Sequence, residues 1–565
     1  MSETSETAED ITNKVTSKEA DDKPVFDRMD NDYKMWDLQS NYGILNDVTN
    51  VSSVPKSRDS DVNIVSNKPR TFSDQVQSTL SDAEMQIMVR MVEKEGEDLR
   101  DDIANLERLF HFALEMTDRR LRKMLLPTFK ESSIWYSLVR GWLVGSVVIF
   151  KKNNGDVIFD IRSLDRRWLT YGIGADGINW SSYKTFMSGA SLKDEWDYGD
   201  GKEKDNAVID HWKHEADGRF RNSVIVDNKF LKKPTVHKLR SFPLIIVPVA
   251  TRPPVVAPES TTNTKTSEVA GYGESIFAPL RSINKIRNNF ASIAATHANL
   301  LAKQPMINYY GAKGQKLKTT AYLAEMVLNL PRGENELRPA PMAELSPTVV
   351  NLLNFLSAEV EEATLPIIPI GSPAPSGTLY NLVQEAGNKI FNPQLKNQVY
   401  FYEEICRQVE EQLIDGNITV DVKHEEKKKY YEVKVKPVDL KKPHFIKVEI
   451  TARTPWTQFD TYQIADMAKR LGLPDAFIHE FILKLPDPKE IADMSAVELA
   501  LHSPNLAMVT AIEALMLKGR VDEAEQVMRD WAKLAQQEEM AIEAQVVDTK
   551  ATETPAPPPP PEEGI

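Results

Sequence analysis

The residues whose types and spacing could do chemistry fall into a few short groups. His211, His214 and Glu215 imitate a metal-binding motif. The surrounding run NAVIDHWKHE is strand-like, however, and a three-residue spacing in a strand puts the two imidazoles on opposite faces. Asp487 and Glu490 lie one helical turn apart, as a carboxylate pair would, but they follow a proline. Acids at a helix N-terminus cap amide groups and meet the positive end of the helix dipole, so both groups favour structural roles.

Other candidate motifs lack a part that their chemistry needs. Residues 311–316 (GAKGQK) are basic but do not follow the spacing Gly-x-x-x-x-Gly-Lys-Ser/Thr, so no phosphate-binding loop of the NTPase kind is predicted. Residues 273–275 (GES) lack the second glycine and the preceding strand of a nucleophile elbow. The single cysteine, Cys406, excludes an internal disulfide and a thiolate metal cluster. The sequence therefore predicts no active site, no metal and no cofactor.

The composition is that of an acidic protein with enough apolar residues for several domains. The chain has 565 residues, of which 41% are hydrophobic, and a net charge of −14. An acidic balance argues against a sequence-reading nucleic-acid binder, because phosphate contacts need surplus lysine and arginine. It is compatible with a conduit through which DNA slides without sticking. No apolar run reaches the ~18 residues of a membrane span, and the acidic start MSETSETAED does not resemble a signal peptide.

The element that must position any function is a long amphipathic helix that follows GYGES (residues 271–275) and ends before Pro305. About 30 residues give a rod of roughly 45 Å. One face is apolar: Ile276, Leu280, Ile283, Ile286, Phe290, Ile293, Leu300 and Leu301. The opposite face carries Arg281, Lys285, Asn288, Ser292 and Asn299, with small residues at Ala291, Ala294, Ala295, Ala298 and Ala302. The small residues permit close approach of neighbouring helices.

Upstream of this helix the pattern predicts helices and then strands. Residues 71–137 have helical periodicity, with apolar positions that include Met85, Met88 and Met91. Strands flank residues 153–155 (NNG), which are a strong hairpin signal. The chain is therefore predicted to be α+β.

Downstream, residues 392–393 (NP) predict the start of a helix. The runs YYEVKVKP and HFIKVEIT predict an antiparallel pair of strands, and Gly472 with Pro474 predicts the end of another helix at about residue 471. The end of the chain, TETPAPPPPPEEGI, is proline-rich and is predicted to be disordered.

The order of these motifs resembles the portal proteins, or head-to-tail connectors, of tailed bacteriophages. The resemblance is carried by GYGESIFAPLRSINKI, a helix hairpin, PSGTLYNLV and then QIADMAKRLGLPDAFIHEFILKLPDPKEI, with SNKPRTFSDQV upstream. It implies an α/β wing, a long-helix stem, a small α/β clip and a helical crown. With the pattern, it predicts these segments: 1–60 a disordered arm, 61–270 the wing, 271–304 the stem helix, 305–347 the clip, 348–364 the stem return helix, 365–379 a tunnel loop, 380–452 a long helix and β-hairpin of the wing, 453–540 the crown and 541–565 a disordered tail.

The resemblance also implies a function. Portal proteins form homododecameric rings at one capsid vertex, through which double-stranded DNA is packaged and ejected. The expected partners are further copies of the chain, non-specifically bound DNA, the terminase large subunit, a head-completion or adaptor protein, and the major capsid and scaffolding proteins, with no membrane. The expected location is the virion, after assembly in the host cytoplasm. The alternatives are an enzyme on a helical scaffold and an adaptor that forms no ring.

Three sets of residues are candidate sites. The resemblance implies a DNA-facing tunnel loop at Gly371, Ser372, Pro373, Ala374, Pro375, Ser376, Gly377 and Thr378, which carries no charge. Arg281 and Lys285, one turn apart, either face DNA or form salt bridges to Glu359, Glu361 or Glu362. Close packing between subunits in the stem is expected at Ala291, Ala294, Ala295 and Ala298.

Overall fold

The computed structural model describes residues 6–38, 62–91, 97–152, 155–175, 177–199, 201, 205–215, 217–237, 239–250, 273–302, 306–310, 327–331, 336–339, 346–364, 392–426, 429–451, 455–474 and 478, with a few positions from 482 to 533. The chain divides into two compact units, Met1–Arg453 and Thr454–Ile565. The described helices are α1 (Ala8–Asp21), α2 (Lys23–Trp36), α3 (Lys68–Asp82), α4 (Glu97–Lys123), α5 (Phe129–Val139), α6 (Gly189–Trp196), α7 (Arg281–Ala302), α8 (Pro347–Glu362), α9 (Asn392–Asp415), α10 (Pro437–Leu440) and α11 (Pro455–Arg470).

The strands come in runs between these helices and pair mostly antiparallel, which confirms the predicted α+β class. They are β1 (Glu84–Met91), β2 (Trp142–Lys151), β3 (Val157–Ser163), β4 (Leu169–Gly174), β5 (Gly177–Ser188), β6 (Asp205–His214), β7 (Phe220–Val226), β8 (Lys229–His237), β9 (Leu244–Pro248), β10 (Met306–Tyr310), β11 (Val327–Pro331), β12 (Glu336–Pro339), β13 (Val420–Glu426), β14 (Lys429–Val435) and β15 (His444–Thr451). Strands β4 to β8 form an antiparallel sheet in sequence order, and β2 lies between β3 and β9 in a second.

The main core of the first unit lies between helices α4, α5 and α9 and strands β2 and β15. Helix α9 supplies a stripe of fully buried apolar side chains: Phe401, Tyr402, Ile405, Val409 and Leu413. Gly145 in β2 makes room for this stripe, because a Cβ atom there would lie 2.8 Å from Cζ of Phe401. Helix α9 is described from Asn392 onwards, and the residues before it lie outside the described part of the chain, so the start predicted at residues 392–393 stays a prediction.

The hairpin predicted at residues 153–155 is confirmed. Strands β2 and β3 are antiparallel from Gly145 opposite Ser163 to Lys151 opposite Val157. Gly155 has a φ of +95°, which suits the turn because glycine has no Cβ atom to clash. This local signal needed no information from the rest of the chain.

The predicted strand pair near the end of the first unit is wrong in its partners. Strand β14 pairs with β13. Strand β15 pairs with β1, at residues 84–91, where the methionine spacing predicted helix. Ile87 and Val89 are buried in β1 with a period of two, which is the spacing of a strand. In each strand of this two-stranded sheet, one backbone amide donates to a glutamate of a helix. Val89 N donates to Glu107 Oε1 of α4 at 2.9 Å, and Val448 N donates to Glu403 Oε1 of α9 at 3.1 Å.

The prediction of a disordered arm over residues 1–60 is also wrong in part, because α1 and α2 belong to the core. Thr7 and Asp10 form a capping box at the start of α1. Three apolar side chains of α1, at Ala8, Ile11 and Val15, are buried against the β4–β8 sheet, and three of α2, at Val25, Phe26 and Met29, are buried beside Trp142. The apolar residues are few but helically spaced, so composition alone concealed them.

The region predicted as the clip and crown is described in part. In the predicted clip, strand β10 lies between β11, to which it is parallel, and β12, to which it is antiparallel. In the second unit, α11 ends at Arg470 and Gly472 follows with a φ of +80°, which confirms the predicted helix end.

Candidate subunit interface on the stem helix

Helix α7, the predicted stem helix, buries its polar face and exposes part of its apolar face. Asn284, Asn288 and Ser292 are at most 1% exposed. Ile286 and Ile293 are each 43% exposed. At about 100° per residue, Ile286 and Ile293 lie on average about 150° from the three polar residues, so the two sets occupy opposite sides of the rod. The sequence correctly grouped the residues into an apolar and a polar face, and the structure shows that Asn288 and Ser292 of the polar face are buried.

An extended segment, residues 62–66, covers the polar face of α7, and we call it the strap. Val62 N donates to Thr296 Oγ1 at 2.9 Å, Ile64 N donates to Ser292 Oγ at 2.9 Å, and Ser66 N donates to Asn288 Oδ1 at 3.1 Å. Side chains four residues apart on a helix are separated by about 6.0 Å. Two residues of an extended chain span about 6.6 Å, so the two repeats match.

The strap explains why the buried face of α7 is polar. An extended segment without a neighbouring strand has unpaired amide groups, and the side chains of α7 supply their acceptors. Arg287 Nη1 also donates to Ser66 Oγ at 2.9 Å, and Lys68, just beyond the strap, forms an ion pair with Glu361 of α8 at 2.6 Å. The strap was missed in the sequence because it has no strand pattern; the signal was the spacing of Asn288, Ser292 and Thr296.

At the start of α7 a buried ion-pair cluster joins the stem to α2. Arg281 donates from Nε and Nη2 to the carboxylate of Asp32, both at 2.8 Å, and its Nη1 lies 2.7 Å from Glu274 Oε2. Asp32 also accepts a hydrogen bond from Ser275 Oγ at 2.7 Å, and Glu274 pairs with Arg28 at 3.1 Å. Burial lowers the pKa of Arg281, but the hydrogen bond and charge of Asp32, followed by Glu274, outweigh burial and raise it. Arg281 is therefore fixed as a cation in a structural contact.

The two stem residues predicted to face DNA, Arg281 and Lys285, have different surroundings. The ion-pair partners of Arg281 are Asp32 and Glu274, and not the acids of the return helix that were predicted. Lys285, one turn further along, is exposed. Of those predicted acids, Glu361 is engaged by Lys68, whose hydrogen bond and charge lower the pKa of that carboxyl group.

Of the four alanines predicted for subunit packing, Ala291, Ala294 and Ala295 are half-buried in the single chain, and Ala298 is exposed. Helix α8, which packs against α7, has two large apolar side chains exposed, Val350 and Phe355. Helices α7 and α8 together form what we call the stem hairpin, and both carry exposed apolar side chains. The predicted tunnel loop, Gly371 to Thr378, lies outside the described residues.

The histidines singled out in the sequence lie in β6 and have different neighbours. His211 is buried, and its Nδ1 lies 2.7 Å from Ser182 Oγ. Burial lowers the pKa of His211 to about 4. His214 stacks on Phe220, with ring centroids 4.8 Å apart. Although Ser182 and His211 resemble a nucleophile and its base, both are at most 3% exposed, so no substrate reaches them in this conformation.

Comparison with known proteins finds a distant structural likeness. No protein-family model and no curated protein matches the chain. The chain is similar to one from the neck of an empty GTA (gene transfer agent) particle computed with C6 symmetry, at 11% identity and a TM-score of 0.35, over 76% of this chain and 99% of that chain. It is also similar to a chain from the neck of a native GTA particle computed with C12 symmetry, at 12% identity and a TM-score of 0.30, over 68% of this chain and 93% of that chain. TM-scores this low carry no argument about function.

Two further searches of the described residues concern membranes and metals. In that part of the chain, no helix is both long enough and apolar enough to cross a membrane. Nor does that part hold a group of three or more His, Cys, Asp or Glu side chains placed to bind a metal ion. The candidate interface is the outside of helices α7 and α8, where Ile286, Ile293 and Phe355 are exposed.

Proposed function

We propose that this chain is the portal protein of a tailed bacteriophage. Its copies form a homododecameric ring at one capsid vertex, and double-stranded DNA passes through the ring during packaging and ejection. The ring is the docking platform first for the terminase large subunit and later for the adaptor that joins the tail. In this proposal the chain has no catalytic activity of its own.

The observation that carries the proposal is the outward apolar face of α7. Helix α7 buries asparagine and serine under the strap and leaves Ile286 and Ile293 nearly half exposed. Apolar side chains exposed in this way indicate a contact with another chain. Side-by-side packing of stem hairpins covers this face. The small alanine side chains beside it leave room for a neighbouring helix, and a contact repeated around a closed rotation produces a ring.

Two features suit a channel for DNA. The loop from Gly371 to Thr378 combines glycine, proline and small residues without charge, so it neither binds phosphate strongly nor repels it. Lys285 is exposed on the stem and is available to phosphate in a way that Arg281, held by Asp32, is not. We assign the loop to the tunnel, and Lys285 to a weak DNA contact on the stem.

The ring is tested by negative-stain imaging and native mass spectrometry of the purified protein. Wild type is expected to give end-on rings with a central hole. Ile286→Asp with Ile293→Asp is expected to abolish rings, because it places charges in the stem contact. Val236→Asp is the matched control: Val236 is 42% exposed, but lies on β8 away from the stem. Compact monomers of the wild type, or intact rings of the stem variant, would contradict the proposal.

The channel is tested separately, because rings could form without carrying DNA. Replacing Ser372 to Ser376 with lysines is expected to leave ring assembly intact and to slow DNA passage. Lys285→Gln is expected to weaken retention of packaged DNA, whereas Lys152→Gln, which removes a charge at the β2–β3 turn, is expected to have no effect. Packaging and retention at wild-type levels in both the loop and the stem variants would remove the channel assignment.

A further inference from the structure

Helix α1 covers a row of polar side chains on the β4–β8 sheet. His211, in the middle strand β6, lies directly opposite Ser182 of β5 and Ser223 of β7, so the three side chains share one face of the sheet. All three are at most 3% exposed. Ile209, two residues before His211 on β6, packs against α1, so this is the face that α1 covers. The polar row is therefore buried beneath a helix.

The two ring nitrogens of His211 have different surroundings. Nδ1 lies 2.7 Å from Ser182 Oγ. Nε2 is buried and has no hydrogen-bond partner among the described residues. A neutral imidazole has one N–H group and one acceptor nitrogen, whereas an imidazolium has two N–H groups, and both need acceptors. Charging the ring would therefore bury an N–H group without an acceptor, together with a positive charge.

The charged groups around His211 do not offset this cost. Glu6 and Lys14 of α1 and Lys213 of β6 act on the ring. Glu6 is already engaged by both lysines, at 3.1 Å from Lys213 and 3.4 Å from Lys14. Burial is the main cause that lowers the pKa of His211 to about 4; the charge of Glu6 opposes it, and the charges of Lys14 and Lys213 add to it. The docked helix thus keeps the ring neutral.

The neighbouring strands bring no free anion to the ring from the described residues. Two residues from the polar row, Lys184 of β5 pairs with Glu19 of α1, and Arg221 of β7 pairs with Glu215 at 3.0 Å. A second positive charge under α1 would therefore lie among cations and engaged carboxylates.

Helix α1 is held to the sheet by a small contact, whereas α2 is held separately. Its apolar contact consists of three side chains, Ala8, Ile11 and Val15. Asp22, between the two helices, pairs with Arg166 at 2.8 Å, and α2 packs beside Trp142. A helix of 14 residues is marginal in water once its tertiary contacts are lost. Helix α1 can therefore leave the sheet and unfold while α2 stays in place.

We propose that α1 is a latch on the β4–β8 sheet and that protonation of His211 releases it. With α1 away from the sheet, the ring meets water and takes up a proton at its ordinary pKa of about 6.5. Release also opens the apolar side chains of Trp180, Ile209 and Ile225 to solvent. Release concerns a single subunit, so it goes beyond the proposed function and does not need a ring.

The direction of the pH effect follows from the lowered pKa of His211. The docked state is most stable above the ordinary value of about 6.5, loses stability as the pH falls from there, and stops losing it below the docked value of about 4. Between pH 7 and pH 5 the ratio of released to docked α1 should therefore rise about 20-fold. Aspartate and glutamate ordinarily titrate near pH 4, below this range, so the ion pairs of α1 are retained.

Hydrogen exchange of the full chain, followed by mass spectrometry, tests the latch. Protection factors correct for the pH dependence of the chemical exchange rate. The protection factors of residues 8–21 are expected to fall about 20-fold from pH 7 to pH 5, and those of residues 23–36 in α2 by less than about twofold. A fall of the same size in both helices would mean that the whole unit loosens, and would overturn the latch. Unchanged protection of α1 would also overturn it.

Replacing the histidine separates its titration from other effects of pH. His211→Gln keeps a polar side chain that takes up no proton, so the protection of α1 should be the same at pH 7 and pH 5. A fall that persists in this variant would overturn the proposal. His237→Gln is the matched control: burial also lowers the pKa of His237, but its side chain lies on the other face of the sheet, in register with Phe220 and His214. In this variant the fall is expected to persist.

A titration of wild type covers the case in which His211→Gln leaves α1 undocked at both pH values. The imidazole resonances of His211 are followed by NMR from pH 7 downwards. With α1 docked at pH 7, a midpoint clearly below 6.5 supports the latch, because the docked helix then resists protonation. A midpoint at the ordinary value of about 6.5 would overturn it.

Discussion

Helices α7 and α9 are built on similar amphipathic patterns, but their apolar faces lie in opposite environments. In α9 the stripe from Phe401 to Leu413 is fully buried between strands and helices of the same chain. In α7 the side chains of Ile286 and Ile293 face outwards, and the strap covers the polar side. The difference teaches that periodicity identifies a face, whereas the rest of the chain decides whether that face is used within the subunit or between subunits.

The largest expected effect on stability comes from truncating an apolar side chain of α9, and the matching truncation on α7 should have a much smaller one. Phe401→Ala is expected to lower the free energy of unfolding of the subunit by about 3–5 kcal/mol, because loss of the phenyl group leaves a cavity in a closely packed core. Ile293→Ala is expected to change it by less than about 1 kcal/mol, since the side chain is already partly in water. Urea denaturation of the dissociated subunit measures both. Equal losses would show that α7 is as much a core helix as α9.

A slightly smaller effect is expected at the base of the stem. Asp32→Ala removes the main partner of Arg281 and leaves the buried guanidinium with Glu274, which should cost about 3 kcal/mol of unfolding free energy. Asp27→Ala, on the same helix, removes an exposed pair with Lys23 and should cost less than about 0.5 kcal/mol. Thermal and urea unfolding distinguish the two. Similar values would mean that α2 is not fixed through this cluster.

The strap should contribute about 1 kcal/mol for each hydrogen bond that α7 accepts from it. Ser292→Ala removes the acceptor for Ile64 N and is expected to speed hydrogen exchange of that amide. Ser282→Ala changes an exposed serine of the same helix and leaves the exchange unchanged. If exchange at Ile64 is the same in both variants, the polar face of α7 does not hold the strap in solution.

The smallest effect concerns pH and tests the α9 side of the comparison. Glu410 of α9 lies 3.3 Å from His444 Nε2, and its hydrogen bond raises the pKa of His444. A raised pKa means that the stabilisation is fully present below the unfolded value of about 6.5 and is lost as the pH rises through the folded value. We expect the free energy of unfolding to fall by less than about 1 kcal/mol between pH 6 and pH 8, and urea denaturation across this range measures it. Glu410→Gln should reduce the pH dependence of the free energy of unfolding. An unchanged dependence would show that the pair of Glu410 and His444 does not cause it.

Local signals predicted the parts of the fold that depend on neighbouring residues. Residues 153–155 predicted the β2–β3 hairpin, and Gly472 predicted the end of α11, because turn and capping preferences act over a few positions. The pairing of β1 with β15 joins residues about 360 apart, and no local pattern encodes such a partner. Methionines at 85, 88 and 91 matched a helical spacing, and the tertiary pairing overrode that match.

The candidate interface was predicted only in outline. The sequence identified the long helix, its two faces and its alanines, but it could not show that a strap from residues 62–66 covers the polar face. Nor could it show that Arg281 pairs with Asp32, since a charged residue on a helix has many potential partners along a chain of this length.

The position of α1 and α2 has a consequence for how the protein is made. Asp32 must find Arg281, which lies 249 residues later, and at ~5–20 residues per second the ribosome needs roughly 12–50 s to supply it. Helices of 14 residues are marginal in water without their tertiary contacts. Helices α1 and α2 are therefore synthesised well before the residues that complete their contacts. Until Trp142 is available, the apolar side chains of Val25, Phe26 and Met29 remain open to chaperones or to neighbouring nascent chains.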